Sequence, residues 1–336
     1  MKKKSEGRLA IVWLALIQGV LASGAVEVKP SINPAVVGDS VTLSLSPLTN
    51  LRSGSWAVGE SLILTWVGDQ QAVFPAHSGR ASVNVLTGAL ALNSVTVADS
   101  GVYVLQSSNP ELKAAASIAV FEPISNVTLR ANRTQLVELS SSAVFTCSVS
   151  SGSSLSFLWM NASAELQRRD GVQLTDGNAT LTIANVTRHD RGPFRCRVFN
   201  PVSHGTSDRV NLTISYGPDH MALTVNGQNT TSFDAGSNLT VLCSALSHPP
   251  AQLRWAFRGQ LVNTTGPLLQ RFSVIEEQSG PYSCLAFNNH TGMNSSITAR
   301  IEIAKTSSRS EQQAINVMLL PLLLLVELLS LLPEKL

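Results

Sequence analysis

The chain has 336 residues, with 24 Lys and Arg against 22 Asp and Glu, a formal net charge of +2. Its ends carry most of the imbalance: residues 1–24 hold four Lys/Arg and one Glu, and residues 309–336 hold two Lys/Arg and three Glu. The stretch between is neutral overall, so no net field draws the chain to nucleic acid or to anionic lipid.

In chain order, Met1-Lys2-Lys3-Lys4 opens on basic residues, an apolar run follows from Leu9 to Ala22, and Ala22-Ser23-Gly24 is small. A basic start, a short apolar middle and a small-residue cleavage site read as a secretory signal peptide over 1–24. A spanning helix would need about 20 apolar residues. Export places the 4 cysteines in an oxidising compartment, where disulfides persist.

Short alternating runs broken by Gly, Pro, Ser and Asn fill the centre, which predicts strands rather than long helices. Residues 25–122 form the first unit. Gly38 to Leu45 alternates as a strand, Trp56 follows eleven residues after Leu45, and Asp99-Ser-Gly101-Val-Tyr103-Val-Leu105 closes the unit. Residues 123–215 form the second, with Cys147, Trp159 twelve residues later, and Cys196 at a separation of 49 (196 − 147). Residues 216–304 form the third, with Cys243, Trp255 again twelve later, and Cys284 at 41 (284 − 243).

That order of cysteine, tryptophan and cysteine is the layout of an immunoglobulin-type sandwich: one sheet gives strand B, the other strand F, and a strand C tryptophan packs on the bond. It predicts Cys147–Cys196 and Cys243–Cys284 as disulfides. In the first unit Leu45 and Leu105 stand in the cysteine places, 60 apart (105 − 45), which leaves room for the extra C′ and C″ strands of a variable-type sandwich. Tyr103 fits the tyrosine corner of that fold, and Arg80 and Asp99 are placed as the ion pair that closes one end of it. The fold class is all-β: three tandem immunoglobulin-like β-sandwiches, one variable-type without a disulfide and two constant or I-type with one each. Pro123 and Pro218 stiffen the joints at Glu122-Pro123 and Tyr216-Gly217-Pro218.

Residues 305–313 read as a polar stalk, and Ala314 to Leu332 is a largely apolar run with one carboxylate, Glu327, and one proline, Pro321. Small residues before the spacer and the lack of a basic excess behind the tail, where Glu334 offsets Lys335, fit a GPI-attachment signal, with Ser308 as the attachment site. A single transmembrane helix over 314–332 is the alternative. Either places the protein on the extracellular face of the plasma membrane, with signalling left to a partner.

Asn-x-Ser/Thr acceptors fall at Asn126, Asn132, Asn161, Asn178, Asn185, Asn211, Asn229, Asn238, Asn263, Asn289 and Asn294. None lies in 25–122, which marks the first unit as the bare recognition module. The 6 histidines are scattered, and no Ser/His/Asp order, CxxC, HExxH or phosphate loop is present. These features predict no enzyme, no metal and no cofactor.

Asp69-Gln-Gln-Ala72 with Ser78-Gly79-Arg80, then Leu181 to Arg188, Asn200-Pro-Val-Ser203, Tyr216-Gly-Pro-Asp219 and His248-Pro-Pro-Ala-Gln252 resemble the carcinoembryonic-antigen-related cell adhesion molecules over residues 25–304. The resemblance implies a cell-surface glycoprotein that binds itself or related immunoglobulin-superfamily proteins through the C, C′, F and G strands of its first domain. Some members also serve as attachment points for microbial adhesins. With Trp56 and Leu105 facing the core, alternation turns Ser55, Ala57, Val104 and Gln106 outward, and Ser61 and Ser108 match family contact positions. Ala57 departs from the family's aromatic. Trp66 on C′ is a substitute anchor if it faces outward, and a core residue otherwise. The competing function is a receptor or decoy for a soluble or microbial ligand.

Overall fold

The computed structural model describes residues 26–227 and 230–305. The signal peptide, the Asn229 acceptor, the Ser308 attachment site and the apolar run 314–332 lie outside the described residues. Those described form three β-sandwiches with a few single 3-10 turns.

In the first sandwich, β1 (Glu27–Pro30), β2 (Ala35–Val36) and β3 (Val41–Ser46) are followed by β4 (Ser53–Val58), β5 (Ser61–Val67) and β6 (Gln70–Val73). Then come β7 (Ala81–Val83), β8 (Leu90–Leu92), β9 (Gly101–Asn109), β10 (Glu111–Ile118) and β11 (Val120–Phe121). Their sheets are β1-β3-β8-β7 and β10-β9-β4-β5-β6, with β11 beside β2. β3 and β4 take the B and C places, β5 and β6 the C′ and C″ places, and β9 and β10 the F and G places. The strict alternation of β3 buries Val41, Leu43 and Leu45, while β9 buries Tyr103, Leu105 and Ser107. Leu45 and Leu105 thus meet the core that holds Trp56, whose indole N–H donates to Gly88 O at 2.8 Å.

The end of this sandwich is closed by charge. Arg80 grips Asp99 with both guanidinium nitrogens, Nη1 to Oδ2 at 2.8 Å and Nη2 to Oδ1 at 3.0 Å. Thr96 adds its N–H at 2.7 Å and its hydroxyl at 2.9 Å to the same carboxylate. The Tyr103 hydroxyl donates to Asp99 O at 2.6 Å.

The second sandwich runs through β12 (Thr128–Ala131), β13 (Gln135–Val137), β14 (Ala143–Ser148), β15 (Ser156–Asn161) and β16 (Ala164–Glu165). It continues with β17 (Val172–Thr175), β18 (Thr180–Ile183), β19 (Phe194–Phe199) and β20 (His204–Thr206). The third follows with β21 (Thr213–Val225), β22 (Ser232–Asp234), β23 (Leu239–His248), β24 (Gln252–Phe257) and β25 (Gln260–Thr265), then β26 (Leu268–Arg271), β27 (Gly280–Asn288) and β28 (Met293–Ala304). The chain parts into two compact units. Of the described residues, one unit holds those up to Thr128 with Ser148–Leu158 and Cys196–Ser207, and the other holds Leu129–Cys147 with Trp159–Arg195 and those from Asp208 onward, so the middle sandwich contributes to both. Cys243 and Cys284 are bonded, Cys147 and Cys196 are each disulfide-bonded, and no described cysteine is free.

Tyr216-Gly217-Pro218, read from sequence as a joint, is not a gap between strands. β21 runs through it, pairing with β13 over Thr213–Ser215 and with β23 from Tyr216 onward, with pairing shifts at Asp219 that absorb the bend. Arg188 fastens this segment: its Nη2 reaches Glu138 at 2.6 Å and Asp219 at 2.5 Å, and its guanidinium lies 4.0 Å above the Tyr216 ring.

Candidate functional site on the outer face of the first sandwich

The sheet β10-β9-β4-β5-β6 packs one face on the core and leaves the other open. Registers fix what that open face carries. Ala57 pairs with Leu62 on β5 and with Val104 on β9, and Val104 pairs with Ala115 on β10. This row is apolar from β5 to β10. Leu62 keeps 43% of its surface exposed. The next row is polar apart from Ala72 at its end: Ala72, Thr65, Ser55, Gln106 and Lys113 are neighbours in turn. Beyond it, Ser53 and Ser108 bring their hydroxyls to 3.5 Å, and Ser108 pairs with Glu111. The charges Lys113 and Glu111 sit on the edge strand, so the middle of the face is uncharged. A groove of about 840 Å³ crosses the two polar rows between Val67 and Glu111.

Of the residues read from sequence, Ser55, Ala57, Val104, Gln106 and Ser108 fall on this face by register and stand together. Ser61 is exposed at the start of β5, but it pairs with Val58, which packs on the core. The outward place beside Ala57 belongs to Leu62, which sequence reasoning missed.

Trp66 is a correction. It is 1% exposed and belongs to the core. Register explains why: Leu64 pairs with the inward Trp56, and Trp66, two residues on, pairs with Gly54 beneath strand β4. A Cβ on Gly54 would lie 2.5 Å from Trp66 Cη2 and 2.7 Å from the Gln106 carbonyl, so glycine is what lets the indole slide under the strand. The aromatic missing at Ala57 is therefore not replaced by Trp66.

The acceptor asparagines lie elsewhere. Asn126, Asn132, Asn178, Asn185, Asn211, Asn238, Asn263, Asn289 and Asn294 are exposed and Asn161 is half-buried, all in the second and third sandwiches. Among the described residues no cluster of three or more His, Cys, Asp or Glu could hold a metal. No described helix is long and apolar enough to cross a membrane.

Immunoglobulin domain models match residues 133–209 and 222–303. The cell adhesion molecule CEACAM16 of Rattus norvegicus is 28% identical over 309 residues, and that of Mus musculus 29%, each alignment covering 87% of this chain and 72% of the relative. Among solved structures, murine CEACAM1b is 28% identical with a TM-score of 0.49, covering 56% of this chain and 99% of that one. A titin I67–I69 fragment, 16% identical at a TM-score of 0.50, covers 82% and 97% and shares the tandem-sandwich fold.

Proposed function

We propose, for a chain that belongs to the carcinoembryonic-antigen-related cell adhesion molecules of the immunoglobulin superfamily, that it adheres through the outer face of its first sandwich. The partners are a second copy of itself or a related surface protein. Its relatives are adhesion molecules, and the chain is not an enzyme.

The observation that carries this reading is the uncharged row Leu62, Ala57, Val104 and Ala115, open to solvent on the one sandwich that has no glycan acceptor. Charged residues are depleted at the centres of protein interfaces. A single-sandwich contact buries an area near the low end of specific interfaces. With alanine where an aromatic would anchor it, monovalent affinity is weak, and clustering on a membrane supplies the avidity.

Beads coated with the full extracellular chain test this. Wild type aggregates, and Gln106→Arg, which sets a charge between Ser55 and Lys113, abolishes aggregation. Well-folded wild type that does not aggregate sinks the homophilic reading and leaves a soluble or microbial ligand as the partner to be captured.

Attachment to the extracellular face of the plasma membrane through a GPI anchor at Ser308 is part of the same proposal. Phosphatidylinositol-specific phospholipase C then releases the protein from cells, whereas a chain held by a helix over 314–332 stays behind.

A further inference from the structure

The third sandwich has an exposed apolar face of its own, and here an acceptor asparagine stands inside it. Phe287 on β27 and Asn294 on β28 are direct partners across the antiparallel ladder. Both are exposed, Phe287 by 39%. Leu285 lies two residues back on the same face, between Arg254 and Ser296. With Leu261, 63% exposed, these residues line a groove of about 360 Å³ that includes Asn294 itself.

Directly paired side chains start about 5 Å apart. The first sugar on Asn294 Nδ2 therefore begins within reach of the Phe287 ring. A pyranose presents a face of C–H bonds, and an aromatic face is its electrostatic complement. Arg254 and Gln252, which also line the groove, are donors suited to sugar hydroxyls and to the acetamide carbonyl. Ser296, the third residue of the acceptor sequence, is exposed on the same face, as the modifying enzyme requires.

We propose that the core of an N-glycan on Asn294 packs into this groove against Phe287 and Leu285, so that Phe287 is a carbohydrate-stacking residue and the glycan covers the third sandwich's apolar face. The inference rests on the reading of the chain as an exported glycoprotein. It gives the two bare-looking faces opposite fates: the first sandwich keeps its apolar row open, and the third closes its own with sugar.

The test uses the full chain made in mammalian cells, with glycopeptide mass spectrometry at each acceptor. Wild type is occupied at Asn294 and carries less-processed sugar there than at the exposed Asn178. Phe287→Ser shifts Asn294, and no other site, toward complex glycans. Asn294→Gln lowers the melting temperature of the third sandwich by about 4 °C and raises hydrophobic-dye binding, while Asn178→Gln does neither. Four results overturn the proposal. Asn294 is bare while other acceptors are filled. Phe287→Ser leaves the processing unchanged. Asn294→Gln produces self-association without a change in melting, which assigns the groove to a second copy. No acceptor is filled at all, in which case the glycoprotein reading falls with it.

Discussion

Arg80→Ala is expected to lower the melting temperature of the first sandwich by more than about 10 °C. Asp99 is 6% exposed, and Arg80 supplies two of its hydrogen bonds. Removing the guanidinium leaves a buried carboxylate with only Thr96 to satisfy it. Breaking such a pair costs about 3 kcal/mol or more, and in a domain of this size each kcal/mol moves the midpoint by about 4–8 °C. Burial on its own would push the Asp99 carboxyl up. The Arg80 guanidinium and the Thr96 N–H and hydroxyl outweigh it and hold the group at about 2, against 3.8 for a free carboxyl. A carboxylate depressed in the folded state contributes stability above its unfolded value and loses it as pH falls toward the folded one. The contribution, about 2 kcal/mol by that shift, is present above pH 4 and disappears between about pH 4 and pH 2. Thermal melts across that window should show the loss in wild type and a flatter profile in Arg80→Ala. Lys29→Ala is the control, since its pair with Glu27 at 3.6 Å is exposed on both sides. A shift no larger than the control's would make the Arg80 pair decorative.

The equivalent corners of the other two sandwiches show what sequence could and could not reveal. Tyr103 and Asp99 were legible because corner residues sit at fixed offsets from the strand they begin. Tyr282 repeats the pattern, donating to Gln278 O at 2.9 Å, while the Gln278 side chain accepts from the Ile275 N–H at 3.1 Å. A neutral amide stands there in place of a carboxylate, so that corner does not share the acid sensitivity of the first. In the second sandwich Asp190 binds the Thr187 N–H at 2.8 Å and is gripped by Arg169. Nothing in Arg168-Arg169-Asp170 singles out Arg169 for this partner, which lies 21 residues away. Arg188 is a similar case, since its partners Glu138 and Asp219 lie 50 and 31 residues off.

On the candidate contact face, alternation from Trp56 and Leu105 placed β4 and β9 correctly, because those strands have a buried anchor at a known position. β5 had none. A pairing shift between Trp56 and Ala57 buries Ile63 and Leu64 side by side, so simple counting loses phase along the strand. That one irregularity sends Trp66 inward and Leu62 outward. The face therefore presents leucine, valine and alanine in place of a ring.

A second large effect should separate the sandwiches by redox state. Reductant, or the double variant Cys243→Ala/Cys284→Ala, is expected to lower the melting temperature of the third sandwich by more than about 15 °C and to leave the first unchanged. Closing a loop of 41 residues is worth about 4 kcal/mol in the chain-entropy model, a large part of the 5–15 kcal/mol that holds a typical domain. The first sandwich meets the same topological need with Leu45 and Leu105, buried in the cluster that surrounds Trp56. Two buried leucines contribute about 3–6 kcal/mol of transfer free energy, enough to stand in for the bond. Calorimetry of the full chain with and without reductant reads both outcomes in one scan, with the double variant and Arg80→Ala assigning the transitions. A reductant-resistant transition that moves with Arg80→Ala places the candidate contact surface on a sandwich whose fold is indifferent to thiols. If every transition moves together, the first sandwich draws its stability from its neighbours, and its leucine core does not suffice.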